Sequence, residues 1–185
     1  MKRLFTILVF VLFAYASSAQ SFPTQEEIQQ VMIEGPDWKV VRLKNRILKI
    51  QSLIDSTSVE YQICNLYLLP LYAKLNDNSS ARKASESLYY YLNNGGREQL
   101  KDQCDVDELQ MQVTLSLMSC YADEENYQKA QELGEECLRY AKGLNNHHYY
   151  SALQQVADVQ NKLGDNATAY KNIKLCYNQG KAKQD

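Results

Sequence analysis

The stretch Tyr150–Lys181, YSALQQVADVQNKLGDNATAYKNIKLCYNQGK, decides how this chain folds. Leu153, Val156, Ala157 and Gln160 recur at helical spacing on one stripe, and Ala169, Ile173 and Cys176 recur on another. Leu163-Gly164-Asp165 separates them. A glycine there supplies the left-handed backbone that ends a helix, and Asp165 or Asn166 can cap the next one. The small side chains of Ala157 and Ala169 let two antiparallel helices approach closely, with Leu153, Val156 and Ile173 filling the seam. The stretch reads as helix, tight turn, helix.

The same layout precedes it at Met111–Lys142: Leu117, Met118 and Tyr121, a turn at Glu125-Asn126, then Ala130 and Cys137. A hairpin of this kind cannot bury its apolar face alone, so neighbouring hairpins must stack. The spacing resembles the tetratricopeptide repeat (TPR) family. In that pattern a small residue stands eighth, an aromatic eleventh, a turn near fifteen and sixteen, and alanine twentieth. A large apolar residue then follows at twenty-four and a small one at twenty-seven. Counted from Tyr150, the matches are Ala157, Gly164-Asp165, Ala169, Ile173 and Cys176; from Met111 they are Leu117, Tyr121, Asn126-Tyr127, Ala130 and Cys137. The departures are Gln160 at an aromatic position, Met118 at a small one, and Gly134 at a large one. A third copy begins at about Asn65 and carries Tyr72, Leu75, Ala84, Leu88 and Tyr91. Together the copies cover roughly residues 58–181.

The resemblance implies an all-α α-solenoid of antiparallel hairpins with about eight helices. It also implies a concave groove lined by positions two, five, nine, twelve and thirteen of each first helix. These are Gln112, Leu115, Ser119, Ala122 and Asp123, then Ser151, Gln154, Asp158, Asn161 and Lys162. The third copy would add Leu66, Leu69, Ala73, Asn76 and Asp77. Family members that clamp a partner's C-terminal carboxylate use Lys and Asn at positions five and nine or nearby. Here Leu115/Ser119 and Gln154/Asp158 stand there, so that clamp is missing from the sequence.

Met1–Gln20 reads differently from the rest. Lys2 and Arg3 precede an apolar run from Leu4 to Ala16, and Ser17-Ser18-Ala19 closes it. This is the pattern of a secretory signal peptide, with cleavage expected after Ala19. The run is short of the roughly 20 apolar residues a membrane span needs. Residues 1–19 are therefore assigned as leader and 20–185 as the helical repeat domain, exported to the periplasm or secreted. Loss of Lys2 and Arg3 with the leader leaves the rest mildly acidic, without a basic run. Nucleic acid is excluded as the expected partner on that balance, and a membrane enters only if the leader stays attached or the chain is a fragment.

The remaining helices follow from caps and breakers. Thr24 with Glu27, and Thr57 with Glu60, form capping boxes opening helices over 24–34 and 57–75. Asp37 caps a helix over 38–54, whose Lys39, Arg42, Lys44, Arg46 and Lys49 make it the most basic element of the chain. That strip is read as a solvated face, with a docking strip for an acidic partner as the alternative. Pro70 should kink or break its helix. Ser80 caps the next helix, which ends at Asn93-Asn94-Gly95-Gly96, and residues 97–104 form a polar connection with one helical turn. Helices over 105–123, 127–142, 146–163 and 166–179 complete the set.

No constellation in the sequence carries chemistry. The five cysteines, Cys64, Cys104, Cys120, Cys137 and Cys176, include no Cys-x-x-Cys pair. They are read as buried small hydrophobes, with disulfide pairing left open and Cys104 the most exposed candidate. His147 and His148 are adjacent, so their side chains diverge on a helix and cannot share a metal. They are expected in a surface loop. No catalytic residue, metal site or cofactor is expected. The functional expectation is a non-catalytic protein–protein interaction scaffold of the bacterial cell envelope, gripping a peptide or protein in the groove. The alternative is the extracytoplasmic input region of a membrane-bound signalling protein, of histidine kinase or transcriptional regulator type, present as a fragment.

Overall fold

The computed structural model describes residues 22–101, 104–144 and 146–182; the expected leader, its expected cleavage site and the last three residues lie outside that range. Among the described residues there are eight helices of ten residues or more and no strand. They divide into two compact units between Asp105 and Val106. The first holds α1 (Gln25–Glu34), α2 (Asp37–Gln51), α3 (Val59–Lys74) and α4 (Asn78–Tyr91), followed by a single helical turn at Arg97–Leu100. The second holds α5 (Val106–Asp123), α6 (Tyr127–Ala141), α7 (Asn146–Lys162) and α8 (Asn166–Ala182). Within each unit consecutive helices pack on one another.

Three of the helix–helix turns share one construction. Asn76, Glu125 and Gly164 each take a left-handed backbone, with φ of 54°, 61° and 84°. The next residue, Asp77, Asn126 or Asp165, donates its backbone N–H back to the carbonyl of Tyr72, Tyr121 or Gln160, each at 2.9 Å. That is the 6→1 closure of a Schellman turn. The side chains of the same three residues then cap the following helix, accepting from the N–H of Ser80, Lys129 and Thr168 at 3.2, 3.3 and 3.2 Å. Four residues after each cap comes a buried alanine: Ala81, Ala130 and Ala169. The third copy is thereby placed in register, and its alanine is Ala81 rather than Ala84. Its start moves three residues upstream, to Gln62. Asn76 and Asp77, expected as groove residues, form the turn itself.

The caps correct the sequence reading in several places. Thr24 accepts from Glu27 N–H at 3.0 Å as expected, but the Glu27 carboxylate turns to Arg46, 2.9 Å away. Ser58, not Thr57, caps α3; Thr57 is held by Asp55 through both its N–H and its hydroxyl, at 2.8 and 2.6 Å. Pro36 takes the N-cap of α2, leaving Asp37 inside the first turn. Asp77 replaces Ser80 at the start of α4, and α3 runs unbroken through Pro70. The chain leaves α4 through Asn94 and Gly95, the latter at φ 97°.

In the first unit Val40, Leu43 and Ile47 of α2, Leu68 and Leu71 of α3 and Leu88 of α4 are all nearly inaccessible. A polar knot sits among them. Gln51 Nε2 donates to Asn65 Oδ1 at 2.7 Å, Asn65 Nδ2 donates to Gln62 Oε1 at 3.0 Å, and Ser87 Oγ donates to the same oxygen at 3.1 Å. Such a buried network is tolerable because its members satisfy one another.

In the second unit two of the departures from the repeat pattern compensate each other. Gly134 of α6 stands where a large apolar residue is expected, and Met118 of α5 stands where a small one is. A Cβ placed on Gly134 would come within 3.0 Å of Val156 Cγ2 and 3.2 Å of Met118 Sδ. The methionine fills the volume that a large side chain at 134 would take. Cys137 and Cys176 also behave alike: each thiol donates to the carbonyl of its repeat's first residue, Met111 at 3.6 Å and Tyr150 at 3.5 Å. Leu153 and Val156 fill the α7 seam, but Ile173 does not, being 47% exposed on α8. Nothing among the described residues packs over that side of α8 as α7 packs over α6.

Candidate partner-binding surfaces

Gln112, Leu115, Ser119 and Asp123 lie along one face of α5 at spacings of three and four. Gln112 and Asp123 are exposed, whereas Leu115 and Ser119 are half-buried. Leu115 packs against the core cluster of Met111, Cys137, Ala141 and Ala152, and Ser119 Oγ donates to the Leu115 carbonyl at 3.1 Å. Those two residues are therefore partly committed inward. Ala122, expected on the groove face, is buried. On α7, Ser151, Gln154, Asp158, Asn161 and Lys162 are all exposed, while Ala152, Val156, Ala157 and Val159 are almost wholly buried. α7 thus has one face given to packing and another left polar and open. Lys162 Nζ lies 5.8 Å from the Tyr127 ring centroid, a cation–π distance. His148 belongs to the first turn of α7 rather than to a loop, its Nε2 3.7 Å from Glu108 Oε1.

A second surface reads in the sequence as a solvated strip. Val40, Leu43 and Ile47 make the inner face of α2, and Lys44 reaches Asp77 at 4.0 Å. The other face carries Trp38, Val41, Arg42, Asn45 and Lys49, all exposed. Together with Glu27 and Val31 of α1 it lines an open hollow of about 970 Å³. The interleaving of Trp38 and Val41 with the cations was the available signal; charge count alone concealed it.

None of the five cysteines is joined in a disulfide among the described residues. Burial pushes the Cys64 and Cys137 thiols up to about 12, with Glu60 and Glu136 adding repulsion to the respective thiolates. Burial raises the half-buried Cys176 as well. These are poor nucleophiles, since the thiolate is the reactive form. Among the described residues no three His, Cys, Asp or Glu side chains gather to hold a metal. No helix among them is long and apolar enough to cross a membrane.

The geometry is that of a TPR-like helical repeat, and comparison with solved structures agrees. Two crystal structures, one of them of a point variant, are described as nearly identical TPR-like repeats of a kinesin light chain from Podosopora anserina. They superpose with TM-scores of 0.66 and 0.64, at 15% and 13% identity. Each match covers 98% of this chain and 86% of the other. At that identity the likeness defines the fold, which is all-α and TPR-like. No family model matches the sequence, and no curated protein does.

Proposed function

We propose that the chain is a non-catalytic protein-interaction scaffold that binds a peptide or protein partner along the polar face of α5 and α7. The observation that carries this reading is the division of α7. Ala152, Val156 and Val159 are at most 4% exposed, whereas Gln154, Asp158 and Asn161 stand open beside them. Rigid helices that present adaptable polar groups suit hydrogen bonding to a peptide backbone with a few apolar anchors. TPR-like folds commonly serve as interaction scaffolds, which supports the reading in general terms. The leader-like Met1–Gln20 supports export to the bacterial envelope, periplasmic or secreted.

The test is capture of a partner from envelope extract by the mature chain, followed by titration of that purified partner. Gln154→Ala with Asp158→Ala should weaken the purified interaction at least about tenfold without altering the helical circular dichroism, by analogy with loss of central polar contacts. An unchanged affinity would place the binding surface elsewhere.

A further inference from the structure

We propose that the hollow between α1 and α2 is a separate docking site for an acidic, amphipathic helical segment of a partner protein. The site is independent of the α5–α7 face, belongs to the other unit, and stands or falls separately.

The floor of the hollow is apolar. Leu43 closes it from the core side at 4% exposure, Val31 and Val41 flank it, and Trp38 stands at one end with 61% of its surface exposed. A tryptophan left this open beside an aliphatic floor is a costly surface unless something covers it. The rim is cationic. Lys39, Arg42, Arg46 and Lys49 line the hollow against one carboxylate, Glu27. Arg46 already holds that carboxylate through two contacts of 2.9 and 3.1 Å. Lys39 rests 5.6 Å from the Trp38 ring centroid. Arg42 and Lys49 have no ion-pair partner among the described residues. The lining therefore carries three uncompensated positive charges in a chain whose net charge is −2.

Shape selects among anionic partners. The hollow follows α2 from Trp38 to Lys49, a rise of about 17 Å at 1.5 Å per residue, which matches three turns of a second helix. Such a helix would set Leu-sized residues on Val31, Val41 and Trp38 and carboxylates against Arg42 and Lys49, the helix-in-groove mode of recognition. An extended nucleic acid would leave the apolar floor unused. A flat bilayer surface fits a concave trough poorly.

Trp38 is the chain's one tryptophan, so its emission reports the site directly. The probe is a 12-residue amidated helical peptide with Leu at positions 1, 4, 8 and 11 and Glu on the flanks, compared with its Glu→Gln counterpart. The Glu peptide should give a saturable blue shift of Trp38 emission and bind at least about tenfold tighter than the Gln peptide in 20 mM salt. That advantage should shrink in 500 mM salt as the Debye length falls. Arg42→Glu with Lys49→Glu, both at exposed positions, should abolish the preference while leaving circular dichroism unchanged. Equal binding of the two peptides, or no change in Trp38 emission, overturns the proposal. So does a larger shift with vesicles of 30% phosphatidylglycerol than with either peptide, which would make the face a membrane contact. Gln154→Ala with Asp158→Ala should leave the peptide titration unaltered.

Discussion

Restoring the repeat pattern at a single position of the second unit should damage it, and restoring it at two should not. Gly134→Leu adds a Cβ that meets Val156 Cγ2 at 3.0 Å and Met118 Sδ at 3.2 Å, before its branched end has been placed. The helix gains about 0.8–1 kcal/mol from losing glycine, but overpacking a closed core costs about 1–3 kcal/mol. Because both neighbours are 1% exposed and cannot swing into solvent, the net should be destabilising by about 1–2 kcal/mol. Met118→Ala alone empties the same volume and should cost about 2–4 kcal/mol. The double variant exchanges one apolar volume for the other and should recover at least about 1.5 kcal/mol of the summed loss, within the range measured for residues in contact. Urea unfolding followed by circular dichroism reads this as a midpoint shift of order 1 M with an unchanged slope. If the two single effects add within about 0.5 kcal/mol, the compensation between positions 118 and 134 does not exist.

Three further outcomes are expected. Gln110 is completely buried, and neither atom of its amide has a hydrogen-bond partner among the described residues. Gln110→Met should therefore raise stability by about 1 kcal/mol or more in the same assay, and a loss would show that the amide is bonded in solution. At the turns, Glu125→Gly should stabilise and Gly164→Ala destabilise, each by about 1 kcal/mol. The reason is backbone alone, since a Cβ on Gly164 meets nothing within 4 Å; equal midpoints for wild type and Gly164→Ala would contradict it. Finally, stability should fall in alkali. Folded Cys64 and Cys137 hold their protons up to about 12, whereas unfolded thiols lose them near 8.5, so the stabilisation is complete below about 8.5 and is lost as pH rises toward 12. Cys137→Ala should flatten that limb, and an unaltered slope between pH 9 and 11 would refute the assignment.

Much of the fold was legible because helix ends carry local chemistry. Of the six glycines expected at helix ends, Gly35, Gly143 and Gly164 stand just past one, with Gly164 anchoring the last hairpin, whereas Gly180 falls inside α8. What the sequence hid was the same backbone conformation at Glu125, a residue that does not advertise it, and at Asn76, which takes it readily but stands at an expected groove position. Without that anchor the third copy slips by three residues, and Ala84 stands in for Ala81. Ile173 shows a different limit: periodicity tells which face a side chain occupies, not whether a neighbour exists to cover it. Thr57 is not the cap because Asp55 accepts from both its N–H and its hydroxyl, holding it in the preceding turn, and the next residue, Ser58, accepts from the Tyr61 N–H instead. Of the expected groove positions, those on α7 are all exposed, whereas on α5 Leu115 and Ser119 are half-buried and Ala122 is buried, because helical spacing alone does not tell how far a neighbouring helix reaches over a face. The hollow beside α2 was not, because five cations on one helix resemble any solvated surface until Trp38 and Glu27 are seen to share a boundary with them.

The open side of α8 has a consequence for how the second unit comes apart. With Tyr170, Ile173 and Tyr177 all at least 47% exposed, α8 draws its support chiefly from α7, whereas α6 and α7 are each held from two sides. In a chain of nearest-neighbour interfaces the free energy of local opening then decreases toward that edge. Amide protons of α8 should exchange with solvent earliest, followed by those of α7, so that unravelling proceeds as a fraying front and not as a single collective event.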